Sequence, residues 1–115
     1  MTMWNIHGEP TVAAINIASG VGTVTTVITA PTIGETFVHA LSVGVDTATT
    51  VTLTFGSRVL GIFKLTAFGT INLSDIVGMP GEPILKGLPL EAFTITTSAA
   101  AQVTGLIKYS RAKDI

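Results

Sequence analysis

Residues 92–110 read AFTITTSAAAQVTGLIKYS, and the fold class turns on them. Phe93, Ile95 and Thr97 alternate with Thr94 and Thr96; after a run of small residues, Val103, Gly105, Ile107 and Tyr109 resume the same period. Successive side chains on a strand point to opposite faces, so a period of two marks strands half covered by a core. The pattern predicts a β-hairpin whose turn falls at Ser98-Ala99-Ala100-Ala101, a connection longer than two residues that needs no obligatory glycine.

Upstream of it, residues 78–89 (GMPGEPILKGLP) hold three prolines and three glycines. That density of breakers makes this the long connection of the fold, tacked down by Ile84, Leu85 and Leu88. Long ordered connections often carry partner contacts, which makes Met79, Ile84, Leu85 and Leu88 candidate contact residues.

The clearest alternation spans Thr49 to Phe55, with Val51, Leu53 and Phe55 on one face and Thr50, Thr52 and Thr54 on the other. Gly56-Ser57 then suits a two-residue turn with glycine first. That turn sets Phe55 opposite Arg58, Leu53 opposite Leu60 and Val51 opposite Ile62, and leaves Phe63 on the outer face as a further candidate contact. Thr36 to Val45 puts Phe37, His39, Leu41, Val43 and Val45 on one face, and its other face is also apolar or small, as in a strand covered on both sides. His39 reads as a structural, hydrogen-bonded histidine. Thr11–Ile17, Val21–Ala30 and Phe68–Ile76 read as three more strands, the second rich in the β-branched residues that pack well on a pleated surface. Residues 1–10 form an N-terminal arm in which Trp4 and Ile6 are candidate anchors, residues 11–110 the domain, and residues 111–115 a tail.

Composition narrows the function. The chain has 115 residues, 47% hydrophobic but only 11% charged, against about 25% charged in ordinary globular chains. So little charge predicts that much of the surface meets other protein. The six Lys and Arg are balanced by seven Asp and Glu and form no phosphate-neutralising patch, so no nucleic-acid partner is expected. Mean hydropathy is +0.64, yet threonine and glycine interrupt every long apolar run, and one Trp with one Tyr would not furnish the aromatic girdles of a membrane barrel. No membrane partner is expected. The opening MTMWNIHGEP lacks the pattern of a secretory signal, and the absence of cysteine fits synthesis in the cytoplasm.

Nothing points to an enzyme. A Ser-His-Asp constellation would have to draw on His7 or His39, with no nucleophile elbow in the sequence. Glu82 and Glu91 read as solvated loop charges, and SGVG at 19–22 lacks the lysine and following helix of a phosphate loop. No cofactor, metal ion or catalytic residue is expected. Eight or nine short strands without a helical period make an all-β antiparallel sandwich.

Ser98-Ala99-Ala100-Ala101-Gln102-Val103-Thr104-Gly105, preceded by Phe93 and Ile95 and closed by Tyr109, resembles the end of small tailed-bacteriophage virion proteins with a jelly-roll fold, in which a Leu-x-Leu-x-x-Ser-Ala-Ala-x-x-Val-x-Gly segment runs to a terminal Tyr. The order of a strand like Thr36–Val45, a threonine-rich strand like Thr49–Phe55, a Gly/Ser turn and a Pro/Gly connection is also similar. The resemblance implies a jelly-roll sandwich and a non-enzymatic capsid-decoration or accessory protein. It would be a homotrimer located in the virion, with the major capsid protein or another virion protein as partner. One departure stands out: the connection of those proteins often holds an aromatic cluster, and Met79 to Leu88 holds none. The alternative is an adhesin, or a carbohydrate- or receptor-binding module carried on the virion.

Overall fold

Runs of β-branched and aromatic residues broken every ten positions or so by small, Gly or Pro residues leave the chain no route to a helix. The computed structural model describes residues 11–18, 24–32, 34–74 and 84–111. Nine strands lie among them: β1 (Thr11–Ile17), β2 (Val24–Ile28), β3 (Thr36–Val45), β4 (Thr49–Phe55), β5 (Arg58–Leu65), β6 (Thr70–Leu73), β7 (Leu85–Lys86), β8 (Phe93–Thr97) and β9 (Val103–Arg111).

They form two antiparallel sheets. One runs β1-β9-β3-β6, with β7 also pairing β3, and the other β2-β8-β4-β5. Four of the pairs, β1·β9, β2·β8, β3·β6 and β4·β5, nest one inside the next along the chain. Folding such a nested ribbon over itself joins β9 to β3 and β8 to β4. That is the jelly-roll order, with β7 as a short addition.

The hairpin expected between 93–97 and 103–109 is therefore wrong. β8 pairs with β2 and β4, whereas β9 pairs with β1 and β3. Residues 98–102 arch from one sheet to the other, across the ~10 Å that separate packed sheets. They are held by Ser98 N–H to Thr50 O (3.0 Å), Ala99 N–H to Thr49 Oγ1 (3.1 Å) and Gln102 N–H to Asp46 Oδ1 (2.8 Å). Alternation reports which face of a strand is buried, and an arch and a hairpin share that signal.

The core lies between the sheets. Val38, Leu41, Val51, Leu53, Phe55, Phe93, Ile95, Val103 and Ile107 are all but sealed from solvent, and the Phe55 and Phe93 rings meet at 5.1 Å and 54°. Phe55 sits in register with Phe93 across β4·β8, so this tilted ring pair ties two neighbouring strands of the second sheet together within the core.

Two bulges shift the expected faces. In β3 an extra residue at His39 breaks the register with β9 between Val38 and Ala40. Val38 thereby joins Leu41, Val43 and Val45 in the core, and Phe37, expected beside them, is buried instead with the Lys86 Nζ 5.8 Å from its ring centroid. Gly56, at φ 59, closes the β4–β5 turn and Phe55 opposes Arg58 as expected. Beyond it the register shifts, so Leu53 opposes Gly61, Thr52 opposes Ile62 and Val51 opposes Phe63. Phe63 packs on the core while Ile62 is 61% exposed, the reverse of the expected faces. Gly61 makes the swap possible, because a Cβ there would lie 2.9 Å from the Phe63 ring. β1 has the expected bounds, β2 ends at Ile28 and β6 runs from Thr70 to Leu73, short of the expected Ala30 and Phe68, and β9 continues through Arg111, whose guanidinium donates to Thr29 O at 3.0 Å.

Two substitutions probe this packing. Leu53→Ala empties a fully buried site and should cost roughly 2–5 kcal/mol in urea unfolding; a cost under about half a kcal/mol would place Leu53 outside the core. At Gly105 a Cβ would stand 1.9 Å from Ser42 O and 2.7 Å from Val43 Cα, so β9 approaches β3 too closely for any side chain. Gly105→Ala should destabilise by about 1–3 kcal/mol through the forced backbone shift.

Candidate functional site

The connection leading into β8 is stitched to one end of the sandwich. Gly87 N–H donates to Thr36 O and Gly56 N–H to Ala92 O, both at 2.9 Å. Arg58, the first residue after the β4–β5 turn, grips Glu91 with both arms, Nε to Oε2 at 3.1 Å and Nη2 to Oε1 at 2.6 Å, and reaches Lys86 O at 3.2 Å. Leu88 N–H adds a bond to Glu91 Oε1 at 2.7 Å. The bidentate fork fixes the geometry of both partners as well as attracting them. Within this clamp Leu90 takes a left-handed conformation, φ 67, and Leu88 and Leu90 both stand exposed. The clamped backbone thus presents two leucines to solvent.

Other apolar side chains are displayed on the flat faces. The outer face of β2-β8-β4-β5 carries Thr50, Thr52, Thr54, Thr94 and Thr96, half-buried against one another, with Thr54 and Thr94 hydrogen-bonded across the strands. Val24, Val59 and Ile62 stand exposed around them. On the outer face of the other sheet, Val12 and Leu106 border an open depression of about 340 Å³ that Ala40, Ser42, Asn72 and Lys108 also line. Ser42 Oγ–H donates to Asn72 Oδ1 at 2.7 Å on its floor. At the opposite end from the clamp, Phe68 is 82% exposed and, at φ 63, also left-handed.

His39 and Ser110 share a hydrogen bond of 2.8 Å between Nε2 and Oγ, both buried. The pair fastens the β3 bulge to β9, the structural role expected of His39.

Of the contact residues expected from the sequence, Trp4, Ile6 and Met79 lie outside the described residues. Phe63, Ile84 and Leu85 are partly buried and pack against the core; Phe63 turns inward because of the bulge, and Ile84 and Leu85 because Ile84 N–H donates to Val38 O at 2.8 Å and β7 pairs with β3. Leu88 alone of these stands free on the surface, and it belongs with Leu90, Ile62 and Phe68, which sequence reasoning missed. Leu90 and Phe68 sit where glycine or asparagine would be usual, so nothing in their identity signals a turn. Comparison of the chain with family models, curated proteins and solved structures finds no match.

The clamp has a pH signature. Hydrogen bonds from the Arg58 guanidinium hold the Glu91 carboxyl below its ordinary value, and the same contact raises Arg58. A depressed carboxylate contributes stability that is complete above its unfolded-state value, near 4.5, and fades as pH falls through the lower folded value. Glu91→Gln should therefore lower the Tm at neutral pH, and the gap to wild type should close in acid. A gap independent of pH would show that the charge on Glu91 is immaterial. Because Arg58 is well exposed, added salt should also shrink the gap.

Proposed function

We propose that this chain is a structural, non-enzymatic virion protein of a tailed bacteriophage, decorating or stabilising the capsid as a homo-oligomer. The observation that carries this reading is the surface: a rigid jelly-roll body displays Val12, Val24, Val59, Ile62, Phe68, Leu88, Leu90 and Leu106 to solvent in a chain only 11% charged. Such a surface suits a protein that works pressed against other protein. The strand-arch-strand of β8, residues 98–102 and β9 is the segment that resembles small phage virion proteins, and it forms the two central crossings of the fold.

In this reading the sandwich is the rigid body, and contacts to the shell come from the clamped leucines and from the two segments that break the β pattern, the arm around Trp4 and the Pro/Gly connection. A homo-oligomer, the trimer of the resemblance among them, engages several shell sites at once, so modest contacts add up through effective concentration.

Mass spectrometry of gradient-purified particles from the source culture tests the assignment. The chain should be present in copy number comparable to the main shell protein, and deletion of residues 2–8 should weaken its attachment to shells without lowering its Tm. Absence from particles, with binding of the purified protein to host-envelope glycans instead, would replace this reading with the adhesin.

A further inference from the structure

The edges of the two sheets are not equally protected. β6 and β7 span only four and two residues. β2 spans five and is interrupted by a register shift between Thr26 and Ile28. β5 spans eight, but it too is bulged and carries Arg58 and Lys64. Short length, bulges and basic side chains are the devices by which proteins keep an edge from pairing with another chain.

β1 has none of them. Its sequence, TVAAINI, holds no charge and no proline over seven residues. Its register with β9 is unbroken from Thr11↔Tyr109 to Ile17↔Val103. Among the described residues β9 is its only strand partner, so no described strand meets the regular row of N–H and C=O groups along its other side. Exposed Val12 borders that row, 62% accessible, and Ala13, Ile15 and Ile17 alternate inward beneath it.

We propose that β1 pairs antiparallel with β1 of a second copy across a two-fold axis at Ala14, joining the two β1-β9-β3-β6 sheets into one continuous sheet. What the row demands is an extended strand, and each copy supplies one. Antiparallel pairing keeps inward residues beside inward residues only when the axis passes through a residue, and the choice of Ala14 engages all seven. Val12 then opposes Asn16 of the second copy, Ala13 opposes Ile15, and the two Ala14 methyls face each other without charge or bulk. A two-fold contact satisfies both edges at once and leaves no free end to propagate. This rests on the oligomeric part of the reading above and names its surface. It also requires an even-numbered assembly, either a dimer or trimers joined in pairs.

The chain contains no cysteine, so Ala14→Cys gives an unambiguous crosslink. Residues directly opposite on antiparallel strands have Cα atoms about 4.5–5.5 Å apart, within disulfide range. Mild oxidation of A14C should yield a covalent dimer, while A48C, placed on the exposed residue before β4, should not crosslink. Ala14 is exposed in the single chain, so A14K should keep the far-UV spectrum of the wild type while bringing two lysines face to face and weakening association by about a hundredfold. Mixing A14K with A14E should restore dimers. Failure of A14C to crosslink beyond A48C, or an A14K protein of unchanged mass, would overturn the edge pairing. An odd-numbered wild-type oligomer in solution would overturn it and leave the oligomeric reading standing, whereas a monomer at micromolar concentration would overturn both.

Discussion

The pairing of β3 with β9 is the constraint on which the rest of the structure depends. β9 is the last strand in sequence, yet among the described residues it lies between β1 and β3 and is the strand that joins them; β8 does the same for β2 and β4. Neither sheet closes until the last strands arrive. Contacts of such long sequence separation require loop closure before they return stabilisation, which makes for slow folding. Once made, the β3·β9 ladder is hard to shift, because Gly105 lets the backbones approach with no room for a side chain and the His39–Ser110 bond locks the bulge in place.

The sequence speaks plainly of strand faces and less plainly of strand partners. Val51, Leu53 and Phe55 are buried and their threonine neighbours point out, as their alternation implies. Partnership is another matter: an arch of small residues between two alternating segments looks the same in sequence as a hairpin, and the choice between them is made by which sheet has a vacancy. Bulges are equally silent, since one inserted residue changes no residue type. The exception is Gly61, two positions before Phe63, where a glycine inside a strand signals an irregularity that the ring then exploits. Leu88 was legible as a tether with an apolar side chain, but its exposure follows from the Arg58–Glu91 clamp, whose partners are 33 residues apart in sequence.

The same physics connects surface to role. With so few charges, threonine hydroxyls supply much of the polar surface, and apolar side chains such as Ile62, Phe68, Leu88 and Leu90 stand exposed beside them. The structure separates these surfaces. The threonine ladder across β4 and β8 covers one face with polar groups, among which Thr54 and Thr94 are hydrogen-bonded across the strands. The clamp holds Leu88 and Leu90 outward at one end, and β1 is the marginal strand of the other sheet among the described residues. The decorating role proposed above would use this division, since none of the three places draws on the same residues as another.

A particle reconstruction tests the central claim most directly. The account predicts density on the shell exterior into which this jelly roll fits as a rigid body, in groups of copies, with the clamped end or the strand edge at a protein contact. Particles whose shell and accessory density is fully explained by other chains would contradict it.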